Sequence, residues 1–339
     1  LDMKFDVVIG NPPYQEDSAG TSTRAEPVYQ LFMELAYKIA DKTVLITPAR
    51  FLFNAGSTPK SWNKKMLADE HLKVVYFEQD SSKIFPNTDI KGGVVITYRD
   101  SKNVFGAINI FTNFNELNTL YEKVKNEESF SKKIYNRGLY RYSDMIYVDH
   151  EYEMKTISDR RLGSNAFEKL PKLFYNEKPN DKYNYIQIYG RENGERKYKW
   201  FRRDYLNDAE NFDGWKVIIP QASGSGAIGE VLATPLIGQP LIGHTETFLS
   251  IGNFKNELEA KSCLKYVKTK FARACLGILK ITQANTADKW QYVPLQDFTA
   301  NSDIDWKKSI SEIDKQLYTK YALSQKEVDF IEEKVKLME

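Results

Sequence analysis

Apolar and polar positions change rhythm several times in the first hundred residues, and each rhythm predicts an element. Residues 5–9 (FDVVI) form a short apolar, β-branched run, long enough for a buried strand and too short for a helix. The run stops at Gly10 and two prolines, which cannot continue a strand ladder or open a helix without a turn. After Pro27, the residues Val28, Leu31, Phe32, Leu35 and Ile39 recur at helical spacing and predict one apolar face. Residues 42–48 (KTVLITP) read as the next buried strand, 61–72 as a more polar helix, 74–78 as a third strand and 92–98 (GGVVITY) as a fourth. Strands alternating with helices predict parallel βαβ units in a doubly wound α/β sheet. Residues 15–24 and 54–60 read as loops, the first of them polar and expected to be mobile.

Beyond residue 100 the pattern differs. Residues 114–126 read as a helix, and 127–152 are polar and aromatic with a strand-like 145–148. From residue 167 the chain turns strand-like: 183–189 alternate, and Asn193-Gly194 sits as a hairpin turn between 186–189 and 198–201. Residues 257–280 read as one long helix, its buried face made by Leu264, Val267, Phe271, Cys275 and Ile278. Ile310, Ile313, Leu317 and Tyr321 make another helical stripe. Ser324-Gln325-Lys326-Glu327 is a capping box for a last helix bearing Val328, Ile331 and Val335. The expected layout is a partial doubly wound, Rossmann-like sheet over 1–110, a connector over 111–165, an α+β domain over 166–300 and a C-terminal helical hairpin over 301–339.

Composition narrows the classes. The chain has 339 residues, 42% hydrophobic and 28% charged, which suits one large or two ordinary domains with real cores. A net charge of +2 sends any nucleic-acid argument to local patches. Cys263 and Cys275 lack CxxC spacing, which suggests a reducing compartment and speaks against a disulfide framework or a zinc site. There is no run of about 18 apolar residues and no signal-peptide architecture, so a soluble, cytoplasmic protein without a membrane partner is expected. His71, His150 and His244 are scattered and take no role, and no metal is expected. Asp149, Glu153 and Lys155 have the residue types of a metal-dependent nuclease triplet, but they crowd into one stretch of a highly charged chain.

The candidate chemistry sits at the first strand's end, in Asn11-Pro12-Pro13-Tyr14. An exocyclic amine is a poor nucleophile because its lone pair is delocalised into the ring. The Asn11 side-chain oxygen and the Pro12 carbonyl form an acceptor pair able to hold both N–H groups and favour a tetrahedral nitrogen. Successive prolines fix that carbonyl's direction, and Tyr14 offers a face for stacking a base, a contact worth about 1–3 kcal/mol.

This tetrapeptide resembles the catalytic motif of amino-methyltransferases. Together with TPARFL at residues 47–52, and Ile84-Phe85-Pro86 followed by Gly92-Gly93-Val94-Val95-Ile96, it resembles the Eco57I-like adenine-specific (N6) DNA methyltransferases of type II restriction–modification systems. The resemblance implies S-adenosylmethionine as cofactor, catalysis by Asn11, Pro12, Pro13 and Tyr14, and adenine clamped between Tyr14 and Phe85. Cytosine is the less expected target, since such members generally carry Ser where Asn11 stands. The family's cofactor elements normally precede the motif, and here only residues 1–4 do. The expectation is therefore a missing N-terminal region of the same polypeptide and a cofactor site that is partial, with Asn11 its contribution from this chain. Gly224-Ser225-Gly226-Ala227-Ile228-Gly229 matches G-x-G-x-x-G, but residues 230–243 carry two prolines and two glycines and cannot form the helix such a loop needs, so a tight turn is expected.

The implied partner is double-stranded DNA. Residues 191–206 interleave six basic residues, Arg191, Arg196, Lys197, Lys199, Arg202 and Arg203, with Tyr198, Trp200, Phe201 and Tyr205. A basic, aromatic hairpin suits phosphate contact in a target-recognition domain. Gln283, with Asn285 and Thr286, follows the long helix and offers groups that pair with bases. Two other readings stay open: a non-catalytic DNA-binding module, and a protein-glutamine or RNA-base methyltransferase.

Overall fold

The computed structural model describes residues 5–16 and 26–338, the side chain of Asn115 apart. It divides into two compact units, Leu1–Asn115 and Glu116–Glu339. Most of the polar loop read at 15–24, and residues 1–4, lie outside the described residues.

In the N-terminal unit the order is β1 (Phe5–Gly10), α1 (Tyr29–Ile39), β2 (Ala40–Pro48), α2 (Lys60–Leu67), β3 (Leu72–Glu78) and β4 (Val94–Asp100), giving one sheet with strand order β1-β2-β4-β3. Strands β1 and β2 pair in parallel, with Gly10 opposite Leu45, while β4 runs antiparallel to both β2 and β3. The parallel doubly wound sheet expected from the pattern is thus corrected to a mixed α/β one. The cause lies in residues 79–93, which join β3 to β4 through one short 3₁₀ turn and no crossover helix. A parallel neighbour needs a long crossover, whereas an antiparallel one needs only a loop.

Two burial expectations also change. Composition predicts that β1 is a strand but not where it sits. It has β2 as its one neighbour among the described residues, and Phe5, Val7 and Ile9 are 48%, 46% and 75% exposed, so it is an edge strand. Helix α1 is apolar on two sides, and the side it buries is Tyr29, Met33 and Ala36, leaving Leu31, Phe32 and Leu35 exposed.

The C-terminal unit runs α3 (Asn115–Val124), β5 (Ile134–Tyr135), α4 (Asp144–Asp149), α5 (Glu151–Met154), α6 (Ala166–Lys169), β6 (Tyr185–Glu192), β7 (Glu195–Arg202), β8 (Trp215–Pro220), β9 (Leu236–Gly238), β10 (Ile242–His244), β11 (Phe248–Phe254), α7 (Glu257–Lys268), α8 (Lys270–Gly277), α9 (Ile310–Lys320) and α10 (Gln325–Lys334). Its sheets have the orders β10-β6-β7 and β5-β11-β8-β9. The β6–β7 hairpin closes on Asn193 and Gly194, whose φ values of 52° and 84° are the two positive angles a two-residue hairpin turn with right-handed strands requires. Tyr140, Phe167, Ile188 and Phe201 lie in the main core.

Two sequence assignments fail here for local reasons. Residues 145–148 are helical: Ser143 has extended N-cap geometry, Asp144 occupies the first turn, and Ile146 is buried while Met145 and Val148 are exposed. A short apolar run does not distinguish strand from helix by itself. The single helix read at 257–280 is two, broken at Thr269, whose hydroxyl accepts from the Ala272 amide. Asp314 of α9 takes the Lys270 and Phe271 amides at 3.0 and 2.9 Å, so the break is stabilised by a residue far away in sequence.

Candidate active site

The parallel pairing of β1 and β2 brings their carboxyl ends to one side of the sheet. The end of β3 and the start of β4 lie there too, because β4 is reversed. Three connections, β1–α1, β2–α2 and β3–β4, converge at that edge, the place where open α/β sheets bind ligands. A cavity of about 500 Å³ lies among them, lined by Asn11 and Tyr14 after β1, Pro48 at the end of β2 and Arg50 beyond it, Thr58 before α2, and Phe85 in the β3–β4 connection.

Each lining residue is held by its own local device. The segment carrying Tyr14 is clamped where the Val28 amide donates to the Tyr14 carbonyl at 3.2 Å and the Glu16 amide to the Glu26 carbonyl at 2.9 Å. Phe85 sits on a loop stapled by buried Ser81, which donates to the Thr88 carbonyl and accepts from the Ile90 amide. After Pro48 the chain makes a 3₁₀ turn, Ala49–Phe53, that buries Phe51, Leu52 and Phe53 and leaves Arg50 at the cavity. Gly93 must be glycine: its φ is +78° and a Cβ would stand 2.3 Å from the Glu78 carbonyl oxygen.

Asn11, Tyr14 and Phe85, named from the sequence, therefore share one cavity. The Tyr14 and Phe85 rings are not parallel walls: their centroids are 6.4 Å apart and their planes cross at 70°, edge to face. Burial pushes the Tyr14 phenol up to about 12, and its hydroxyl has no hydrogen-bond partner among the described residues. Asn11 and Pro13 are exposed and Pro12 is half-buried. Arg50, within TPARFL, has no role in the sequence pattern; its signal is a proline ending the strand beside the motif strand.

Residues 1–85 match the model of the Eco57I restriction-modification methylase family. The N-terminal segment is Eco57I-like. Over 95 residues the chain is also 34% identical to an uncharacterized adenine-specific methylase of Mycoplasma pneumoniae, a match covering 27% of this chain. The matched part is 22% of that relative's length. A solved structure, that of the type IIG restriction endonuclease BpuSI, aligns with 97% of this chain and 52% of its own at 12% identity and a TM-score of 0.33, a likeness too low to bear on the fold.

Outside the Eco57I-like segment, the residues predicted to meet DNA are divided between two faces of the β6–β7 hairpin. Lys197 and Lys199 turn to the side of Ile186, Ile188 and Phe201, and both pair with Glu192, Lys199 being 6% exposed. Arg202 is locked by Asp149 and Asp204, with the Tyr183 ring 3.6 Å from its guanidinium carbon, and Arg203 is tied to Asp208 and the Leu206 carbonyl. Arg191 and Arg196 are exposed on the face that also carries Tyr198 and Trp200. Arg191 donates to the Gly194 carbonyl of its own turn, and Arg196 to that of Ala233. Gln283 is exposed, whereas Asn285 is buried with its amide spent on the Pro220 carbonyl and Ser223.

The nuclease-type triplet is scattered in its bonding. Asp149 pairs with Arg202, Glu153 with Lys172 and Lys155 with Glu151, and no group of three or more metal-ligating side chains occurs among the described residues. The glycine-rich turn at 224–229 has its Ser225 and Gly226 amides capped by Glu230 and is packed against Ile281, where a Cβ on Gly226 would stand 2.2 Å from carbonyl carbon. Among the described residues no helix is long and apolar enough to cross a membrane.

Proposed function

We propose that this chain carries the catalytic loop and the DNA-recognition region of a site-specific adenine-N6 DNA methyltransferase of a restriction–modification system. The observation that carries the reading is the shared cavity of Asn11, Tyr14 and Phe85 within a segment matched by the Eco57I family. In this reading the target adenine leaves the duplex and enters between the two rings, which turn from edge-to-face toward parallel as the base arrives. Asn11 Oδ1 and the Pro12 carbonyl accept hydrogen bonds from the two N6–H groups, which localises the nitrogen lone pair and aims it. Tyr14 and Phe85 exclude water and hold the base plane.

The methyl donor is S-adenosylmethionine, which when bound supplies an electrophilic methyl carbon. Of the groups the family resemblance assigns to it, Asn11 alone stands at the cavity. The lining includes no glycine-rich turn leading into a helix and no buried acid. The turn at 224–229 is no substitute, since its Ser225 and Gly226 amides are already taken by Glu230 and no helix follows it directly. The described residues thus do not by themselves form a holder for the cofactor.

Asn11→Ala in the full-length enzyme tests the reading. Methylation of duplex DNA is expected to fall by about 10²–10³-fold, the usual cost of one oriented group at the reacting atom, with DNA affinity unchanged. Methyl transfer at the unsubstituted rate would sink the assignment.

A further inference from the structure

The cavity contains a cation that the chemistry above does not use. Arg50 follows β2 directly, so it stands at the same sheet edge as Asn11. Its Nε donates to the Lys91 carbonyl. Its aliphatic stem lies against Gly56, where φ is +86° and a Cβ would come 3.1 Å from Arg50 Cδ. The side chain is therefore fixed at its stem and at one nitrogen of its head. Among the described residues no carboxylate pairs with it: Asp89, on the same rim, is taken by Lys91 at 2.6 Å. Its Nη1 and Nη2 donors meet no acceptor among the described residues.

An oriented, half-buried guanidinium with no counter-charge among the described residues matches a ligand that brings its own anion. With Nε spent, the two Nη groups present parallel donors, the geometry a phosphate accepts from arginine and not from lysine. A base drawn out of a duplex carries its flanking phosphates to the mouth of the pocket that receives it. We propose that Arg50 binds a phosphate of the nucleotide whose base enters the Tyr14–Phe85 slot. The inference rests on the reading that this slot takes a purine. It makes Arg50 a positioning residue, which anchors the backbone so that the base hangs toward Asn11.

The test needs no recognition sequence. Deoxyadenosine and its 5′- and 3′-monophosphates are titrated separately into the chain, with amide shifts around Tyr14 and Phe85 as the readout. One monophosphate is expected to bind about tenfold more tightly than the nucleoside. Arg50→Ala should reduce that monophosphate to the nucleoside's affinity while leaving nucleoside binding itself unchanged. Arg50→Lys, which keeps the charge without the fork, should recover part of the preference. A purely structural Arg50 would weaken all three ligands alike, and a preference surviving in Arg50→Ala would point elsewhere; either result overturns the inference while leaving the purine slot standing. Failure of all three to bind the unsubstituted protein would overturn the slot and the inference together.

Discussion

The N-terminal cavity and three buried cations of the C-terminal unit both place polar groups in apolar surroundings, and they treat them in opposite ways. In the C-terminal unit Arg273 is 2% exposed, and its guanidinium donates to the carbonyls of Lys268, Thr269, Gly229 and Lys336. Buried Lys216 donates to the Phe212 and Ile242 carbonyls, and Lys280 to those of Ser223 and Thr282. In the cavity, by contrast, the Tyr14 hydroxyl is buried with no partner among the described residues, and the half-buried Arg50 guanidinium faces the open cavity. Buried polar groups in folded proteins are nearly always hydrogen-bonded, so one left over beside a cavity that also holds Asn11 and Phe85 points to a ligand. The contrast holds between those three buried cations and the cavity, since Asn285 Oδ1 and Glu327 Oε1 of the C-terminal unit are also buried without a hydrogen-bond partner among the described residues.

The largest effect that would break this contrast is the loss of Arg273. Arg273→Ala leaves several buried carbonyls without donors and opens a cavity, and should cost about 3 kcal/mol of stability in urea unfolding. A cost below about 1 kcal/mol would mean that water replaces the guanidinium, and that the interior is less finished than its bonding indicates. Lysine at the same place should recover only part of the loss, since it cannot reach several carbonyls at once.

His244 gives the next largest effect and ties it to pH. The ring is enclosed, its nitrogens facing the Thr245 carbonyl and the Ser250 hydroxyl, and Ser250 continues through Asn211 to the Tyr140 hydroxyl. Burial, with the Lys216 ammonium nearby, pulls its pKa from 6.5 down to about 4. The unfolded chain therefore binds the proton first as pH falls. The stabilisation is complete above pH 6.5 and is lost progressively toward pH 4, by about 3 kcal/mol in all. Asp314 works the other way, since burial lifts its carboxyl from 3.8 to about 6 and its share of stability declines as pH rises through that range. Comparing the unsubstituted protein with His244→Gln across pH 4 to 7 isolates the histidine; identical pH slopes in the two would show that the ring is not held neutral.

What was legible in the sequence was local. The Asn193-Gly194 turn, the Ser324–Glu327 capping box and the strand ending in Asn11-Pro12-Pro13-Tyr14 all depend on residues within a few positions of one another. The cavity was legible in part for the same reason, because Asn11 and Tyr14 occupy one turn. Phe85 was reached only through family resemblance, and Arg50 was passed over. The misjudged features depend on distant partners: β4 inserted between β2 and β3, Asp314 breaking a helix at Thr269, Glu192 and Asp149 withdrawing Lys199 and Arg202 from the surface. Counting charges over 191–206 set six basic residues against Glu192, Glu195 and Asp204, but not against Asp149 and Asp208, which pair with Arg202 and Arg203 from outside that stretch. Arg191 and Arg196 remain the exposed pair on its aromatic face, and their replacement should lower the salt dependence of DNA binding by about one unit each.

The smallest expected effect is the most pointed, because it concerns a single atom. Tyr14 keeps its hydroxyl buried and without a partner among the described residues, and its raised pKa leaves it protonated at every physiological pH. An unsatisfied hydroxyl costs stability that a phenyl ring does not. Tyr14→Phe should therefore leave the protein unchanged or raise its stability by up to about 1 kcal/mol in urea unfolding. Stacking depends on the ring face, which phenylalanine retains, so purine binding in the cavity should stay within about twofold. A loss of binding with stability intact would show that the hydroxyl bonds to the ligand. Tyr14 would then join Asn11 and Arg50 as a group whose partner arrives only with the nucleotide, and the orphan oxygen would be part of the site's selectivity and not a flaw in its packing.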